Sequence, residues 1–88
     1  MVSKKVKIVN ATGLHLRPAG VLCETAMKYK SKICFNTDNN YEANAKSVLS
    51  VLGACVRSGE EIVITCEGDD EEEALEDIVS SIEGGLGE

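Results

Sequence analysis

Two kinds of hydrophobic pattern divide the chain into seven segments. Hydrophobic and polar residues alternate over 4–10, 32–37 and 61–67, which is typical of half-buried strands. A short strand at 41–43 follows the turn residues 38–40, so 32–37 and 41–43 are predicted to form a hairpin. Apolar residues recur at helical spacing from Pro18 to about residue 28, over 48–56, and from 71 to about 83. The predicted order is β-α-β-β-α-β-α.

This order favours an α+β fold in which a four-stranded, mostly antiparallel sheet carries three helices on one face. The 88 residues make one domain, 1–88, and a hydrophobic content of 43% is enough for one modest core. Buried stripes are predicted on the first helix at Ala19, Leu22, Cys23 and Ala26, and on the last at Leu75, Ile78, Val79 and Ile82.

The helix ends carry recognisable capping residues. Ser47 stands directly before the second apolar run and is an N-cap candidate. Gly59, after Arg57 and Ser58, is predicted to end that helix in a left-handed conformation. Asp69 and Asp70 are predicted to cap the third helix, which 84–85 would end.

The segment Gly13-Leu14-His15-Leu16-Arg17-Pro18-Ala19 holds the only histidine and the only proline of the chain. Proline is tolerated in the first turn of a helix, so His15 is predicted to lie at or just before a helix N-terminus. Open backbone amides and the helix dipole favour an anion there, and Arg17 adds a cation whose fork matches phosphate oxygens. A lone histidine is often only a packing or surface residue. The helix start and the nearby Arg17 favour instead an imidazole that binds a phosphoryl group or carries one.

That segment resembles the active-site motif of the HPr family, the histidine-containing phosphocarriers of the bacterial sugar phosphotransferase system. Lys46-Ser47 ahead of the second helix, the segment 58–62 and the glycine-rich tail 84–88 are similar too. Leu16 and Gly20 depart from the family pattern, in which a smaller residue and a Thr or Ala are common. The resemblance implies an open-faced sandwich of four strands and three helices.

The resemblance also implies the partners. Enzyme I, phosphorylated by phosphoenolpyruvate, would pass its phosphoryl group to Nδ1 of His15, and a histidine of a sugar-specific IIA component would accept it next. Arg17 would stabilise the transferred group, and Pro18 would start the helix. The second apolar run is too hydrophobic all round to be buried completely, which is typical of a docking surface. The implied docking residues are Gly20, Glu24, Met27, Val48, Leu49 and Leu52.

Ser47 is a second candidate site. In HPr proteins of low-GC Gram-positive bacteria the matching serine is phosphorylated by an ATP-dependent HPr kinase/phosphorylase, and the phosphoserine form joins a catabolite repressor protein as corepressor. Many relatives keep the serine without any kinase, so a purely structural N-cap stays open.

Charge and composition exclude several other classes. A net charge of −6 argues against nucleic acid as a partner. Four widely spaced cysteines without a Cys-x-x-Cys pair give little support to a metal site, and their apolar surroundings predict free, mostly buried thiols in a reducing cytoplasm. We expect no signal peptide, no membrane insertion, no cofactor and a cytoplasmic monomer.

Two alternatives to a phosphocarrier stay open at this point. One is a small acylphosphatase-like hydrolase, which would bind phosphate without covalent attachment. The other is a purely regulatory HPr-like protein acting through phosphoserine at Ser47. Proteins of that regulatory class lack the active histidine, whereas this chain has His15.

Overall fold

Four strands and three helices follow one another in the predicted order in the computed structural model, which describes residues 1–87. The strands are β1 (Val2–Lys7), β2 (Lys32–Asn36), β3 (Glu42–Asn44) and β4 (Glu61–Glu67). The helices are α1 (Leu16–Met27), α2 (Val48–Gly53) and α3 (Glu71–Glu83).

The strands form one sheet in the order β1-β4-β2-β3, and every neighbouring pair is antiparallel. The predicted open-faced α/β sandwich is therefore confirmed. β4 has its predicted bounds, and it lies between β1 and β2. Its inward side chains Ile62, Ile64 and Cys66 are buried, while Val63 on the other face is 37% exposed. Within residues 1–87, the helices therefore cover one face of the sheet and leave the other exposed.

The core is aliphatic around a single aromatic ring. Phe35, the only phenylalanine, lies on β2 and is completely buried. Ile8, just after β1, and Leu22, on α1, are also completely buried. α3 packs against β1 and β4, and α1 packs between α3 and α2. On α3 the buried residues include Ala74, while the predicted core residue Leu75 is only partly buried at the edge.

Several strand and helix boundaries differ from those that the hydrophobic pattern predicts. The pattern predicts β1 at 4–10, but the strand spans Val2–Lys7. Ile8 still donates its N–H to the carbonyl of Glu60 (2.9 Å), and the chain then turns, with Gly13 N–H bonded to the carbonyl of Asn10 (3.1 Å). α1 begins at Leu16, two residues before Pro18.

α2 is shorter than its apolar run. It ends at Gly53, and Cys55 adopts a left-handed backbone with φ of 52°, so the predicted helix over 48–56 stops early. The predicted left-handed Gly59 has φ of 89°, but it belongs to a separate turn, where its N–H donates to the carbonyl of Ile8 (2.8 Å).

Asp70 is the N-cap residue of α3, as predicted, but its side chain makes no capping hydrogen bond. Its carboxylate accepts the backbone N–H groups of Lys30 (2.9 Å) and Ser31 (3.0 Å) and the Ser31 hydroxyl. These bonds, that from the Ser31 hydroxyl above all, hold the pKa of Asp70 below its ordinary value. Through these hydrogen bonds, Asp70 holds the connection between α1 and β2 against the start of α3.

None of the helices in residues 1–87 is both long enough and apolar enough to cross a membrane.

Candidate functional site at the start of α1

His15 is the residue that directly precedes α1. Its backbone is extended (φ −77°, ψ −174°), its side chain makes no capping hydrogen bond, and it is exposed. The imidazole is therefore neither buried in the core nor used to hold the helix. It is accessible to a reacting group from outside.

The first turn of α1, directly after His15, leaves backbone donors open. The first intrahelical bond runs from Ala19 N–H to the carbonyl of His15 (2.8 Å). The N–H groups of Leu16 and Arg17 precede it and have no acceptor within the helix, while the third position is Pro18, which has no N–H. Two open amides at the positive end of the helix dipole suit an anion at this point.

The loop before His15 is fixed by contact with the chain that follows α2. Leu14 donates its N–H to the carbonyl of Val56 (3.0 Å), and its side chain is buried. Gly13 has φ of 66°, and a Cβ there would lie 2.4 Å from that same carbonyl oxygen and 2.9 Å from Cα of Arg57. Only glycine allows this approach. His15 is thus attached to a rigid loop and not to a free one.

The contact between these two loops creates a shallow depression of about 780 Å³. The side chains that matter for its chemistry come from both sides: His15, Leu16, Leu52, Cys55, Arg57 and Ser58. Within the described residues 1–87, no Asp or Glu lines it, although the chain carries a net charge of −6.

The arginine in this depression is not the one that the sequence indicated. Arg17 is exposed on the first turn of α1 but does not line the depression, whereas Arg57 does. Cys55 and Ser58 were not selected from the sequence either. No local motif marks these residues, because a contact between distant parts of the chain, that of Gly13 and Leu14 with Val56, places them beside His15.

The expected docking residues lie on α1 and α2, which pack against each other. Of these, Leu49 is 82% exposed and Met27 63%; Leu16, which was not among them, is 70% exposed. The expected docking residues are otherwise exposed at Glu24 and half-buried at Gly20, Val48 and Leu52.

Ser47 is the N-cap of α2. Its hydroxyl oxygen accepts the N–H of Ser50 (3.2 Å), which is the structural role expected of it. The ammonium group of the neighbouring Lys46 donates to the carbonyl of Tyr29, just after the end of α1 (2.6 Å).

The four cysteines are free thiols with different surroundings. Cys34 and Cys66 are buried, and burial raises the pKa of both thiols, that of Cys66 to about 11. Cys23 is half-buried, and its thiol donates to the carbonyl of Lys46 (3.2 Å). Cys55 is exposed, which corrects the expectation that it is buried, because the left-handed backbone turns it out of α2. In the described part of the chain, no group of three His, Cys, Asp or Glu residues could hold a metal ion.

Comparison with known proteins assigns the family. A family model described as the PTS HPr component phosphorylation site matches residues 2–84. The chain belongs to the HPr family. The HPr-like protein Crh of Halalkalibacterium halodurans is 36% identical over 83 residues, covering 94% of this chain and 98% of that relative. The phosphocarrier protein HPr of Mycoplasma pneumoniae is 34% identical over 82 residues, covering 91% and 93%.

The fold leads to the same family. The crystal structure of HPr-C-His from Thermoanaerobacter tengcongensis matches with a TM-score of 0.95 and 41% identity, over 100% of this chain and 98% of the other. HPr proteins are phosphocarriers and not catalytic enzymes, and the relatives of this chain include both HPr itself and the HPr-like protein Crh.

Proposed function

We propose that this HPr-family protein accepts a phosphoryl group from phosphorylated Enzyme I on Nδ1 of His15 and passes it to IIA components in sugar uptake. One observation carries the proposal: the exposed His15 directly precedes the open amides of α1 and lines a depression that contains a cation and no carboxylate of residues 1–87. A phosphoryl group with two negative charges fits such surroundings.

The transfer needs only one nucleophile on this chain. The lone pair of Nδ1 on neutral His15 attacks phosphorus, a new N–P bond forms, and the bond to the donor's histidine nitrogen breaks with its electron pair returning to that ring. Transfer to a histidine of a IIA component repeats the same exchange with this chain as donor. No water is consumed, and the phosphoryl group is conserved.

The surface around His15 supports docking of both partners. Leu16, Met27 and Leu49 expose apolar side chains on α1 and α2. Exposed apolar side chains on the two helices that flank the site suit a transient interface that must form and separate at every transfer. Donor and acceptor would use this surface in turn.

Regulation at Ser47 is a second proposed function. Relatives of this chain include the HPr-like protein Crh of Bacillus subtilis, 32% identical over 83 residues. A kinase that modified Ser47 would place a dianion on the N-cap of the helix that carries Leu49 and Leu52. The phosphoserine form could then bind a catabolite repressor protein. His15 favours the carrier role over a purely regulatory one, and the family match favours both over an acylphosphatase-like hydrolase.

We extend the proposal to a single cytoplasmic domain, 1–88, that acts as a monomer. Sedimentation velocity tests the oligomeric state, which matters because an HPr dimer from T. tengcongensis has been crystallised. Limited proteolysis tests the single domain, since one domain should resist cleavage between its elements.

Phosphorus NMR of the protein with phosphoenolpyruvate and Enzyme I tests the carrier role. A phosphohistidine signal is expected from the parent, and none from His15→Ala, whose circular dichroism should match the parent because the ring is exposed. Phosphoryl acceptance by the His15→Ala variant would refute the assignment.

A further inference from the structure

The geometry points to Arg57 as a phosphoryl-binding residue that holds the phosphoryl group on His15, in addition to Arg17. This inference rests on the proposed phosphocarrier function and deepens it. Arg57 and His15 line one depression, although they lie 42 positions apart in the sequence.

The backbone of Arg57 is held in place from two directions. On one side Gly13 lies against it so closely that a Cβ on Gly13 would be 2.9 Å from Cα of Arg57. On the other side its carbonyl accepts the N–H of Glu60 (3.1 Å), in a turn whose Gly59 bonds to the carbonyl of Ile8 (2.8 Å). The base of the Arg57 side chain is therefore preorganised relative to His15, which reduces the ordering needed when a phosphoryl group arrives.

The charge of Arg57 is available for a ligand. The side chain is exposed, and it takes part in neither of the two ion pairs found within residues 1–87, which join Glu71 to the N-terminal amine and Lys5 to Glu61. A guanidinium group can donate two parallel hydrogen bonds to phosphate oxygens. Arg57 lines the same depression as the only histidine, and no carboxylate of residues 1–87 lines it, although the chain has a net charge of −6. The cation can therefore bind a phosphoryl dianion there without competition from a neighbouring carboxylate.

Arg17 and Arg57 would approach the phosphoryl group from different elements. Arg17 extends from the first turn of α1, and Arg57 extends from the loop after α2. We infer that Arg57 acts on the group while it is attached to His15, because the two residues line the same depression, and that it stabilises both the phosphorylated carrier and the transfer step.

The test compares Arg57→Ala, Arg57→Gln and Arg57→Lys with the parent and with Arg17→Ala. Lys32→Ala is the matched control, because it removes one exposed positive charge from the sheet face that carries no helix. Each protein is phosphorylated with Enzyme I and phosphoenolpyruvate. The initial rate of transfer is measured, and the titration midpoint of the phosphoryl group is followed by its phosphorus chemical shift.

We expect Arg57→Ala and Arg57→Gln to slow transfer about tenfold, since an exposed charge-assisted contact is worth less than a buried one. The titration midpoint of the phosphoryl group should rise by about half a pH unit, because a nearby cation favours its more negative form. Arg57→Lys should recover part of both effects, and Lys32→Ala should equal the parent. A merely structural role would not move the midpoint.

The outcomes separate this inference from the proposed function. A parent protein that forms no phosphohistidine refutes the carrier role itself. A parent that is phosphorylated at His15, with Arg57→Ala and Arg57→Gln indistinguishable from Lys32→Ala in rate and midpoint, refutes the role of Arg57 alone. If Arg57→Ala melts early, Arg57→Gln and Arg57→Lys decide by the same two measurements.

Discussion

Replacing Gly13 with alanine should destabilise the protein more than the same change at Gly20 or Gly59. Gly13 has φ of 66°, and a Cβ there would lie 2.4 Å from the carbonyl oxygen of Val56. That oxygen accepts the N–H of Leu14, the residue before His15 (3.0 Å). The methyl group must therefore push away the acceptor that fixes the reactive loop.

The expected loss has two parts. A residue with a Cβ costs about 1–2 kcal/mol in a left-handed conformation, and a lost hydrogen bond costs about 1 kcal/mol. In a domain of 60–100 residues 1 kcal/mol shifts the Tm by about 4–8 °C. The Tm of Gly13→Ala should consequently fall by about 10–20 °C, and acceptance of the phosphoryl group by His15 should slow with it.

Two other glycines provide matched controls for the Gly13 substitution. Gly59 also has a left-handed backbone, φ of 89°, but a Cβ added there would have no atom within 4 Å, so Gly59→Ala should cost only the backbone strain. Gly20 lies within α1 with an ordinary backbone and equally open space, so Gly20→Ala should raise stability by up to about 1 kcal/mol. Thermal denaturation followed by circular dichroism measures all three variants. Equal losses in Gly13→Ala and Gly59→Ala would refute the close approach to Val56.

Three further predictions concern single groups. Ser47→Asp should keep the Tm within a few degrees of the parent, because aspartate is an equally good N-cap. It should nevertheless slow phosphorylation by Enzyme I through weaker binding. A variant that melts early, or that accepts phosphate as fast as the parent, would show that Ser47 is only a cap. Cys55 should react with a thiol reagent well before the other cysteines, and its modification should slow phosphoryl acceptance at His15 because Cys55 lines the same depression. Cys55→Ser should remove the fast phase of thiol modification, and a fast phase that remains would contradict the assignment. The hydrogen bond to Asp77 (2.6 Å) raises the pKa of Tyr29 from 10.0 to about 12. The contribution of this bond to stability is therefore complete below pH 10 and is lost as the pH rises through about 12. Ultraviolet titration of Asp77→Asn should show Tyr29 ionising closer to pH 10, and an unchanged midpoint would count against the bond.

The position of a strand or helix could be predicted from the sequence where a single strong local pattern determines it. β4 alternates without interruption and has the bounds that this alternation predicts. Ser47 is a good N-cap directly before an apolar run, and it caps α2 as expected. The proline placed the start of α1 to within two residues. These features depend on neighbours in the sequence, so sequence reasoning could find them.

The errors came from contacts between distant segments. Asp70 has the residue type and position of a helix cap, but the N–H groups of Lys30 and Ser31 compete for its carboxylate, and those donors come from another part of the chain. Cys55 adopts a left-handed backbone that its residue type disfavours, and no pattern in the neighbouring sequence predicts this conformation.

Half of the candidate site was accordingly absent from the sequence prediction. The motif around His15 indicated the reactive ring and Arg17. Arg57 and Cys55 join it only because Gly13 and Leu14 contact the chain after α2. Pairing of two loops far apart in sequence cannot be deduced from either loop alone.

The position of β4 in the sheet also determines when the protein can fold during its synthesis. Within residues 1–87, β1 pairs only with β4, from Val2 opposite Cys66 to Lys7 opposite Glu61. The first strand to leave the ribosome must therefore wait unpaired until residues 61–67 have emerged, and closing so long a loop makes this step slow compared with the β2–β3 hairpin. The loop that carries His15 needs Val56 from the same late region, so the reactive site assembles only when most of the chain has been made.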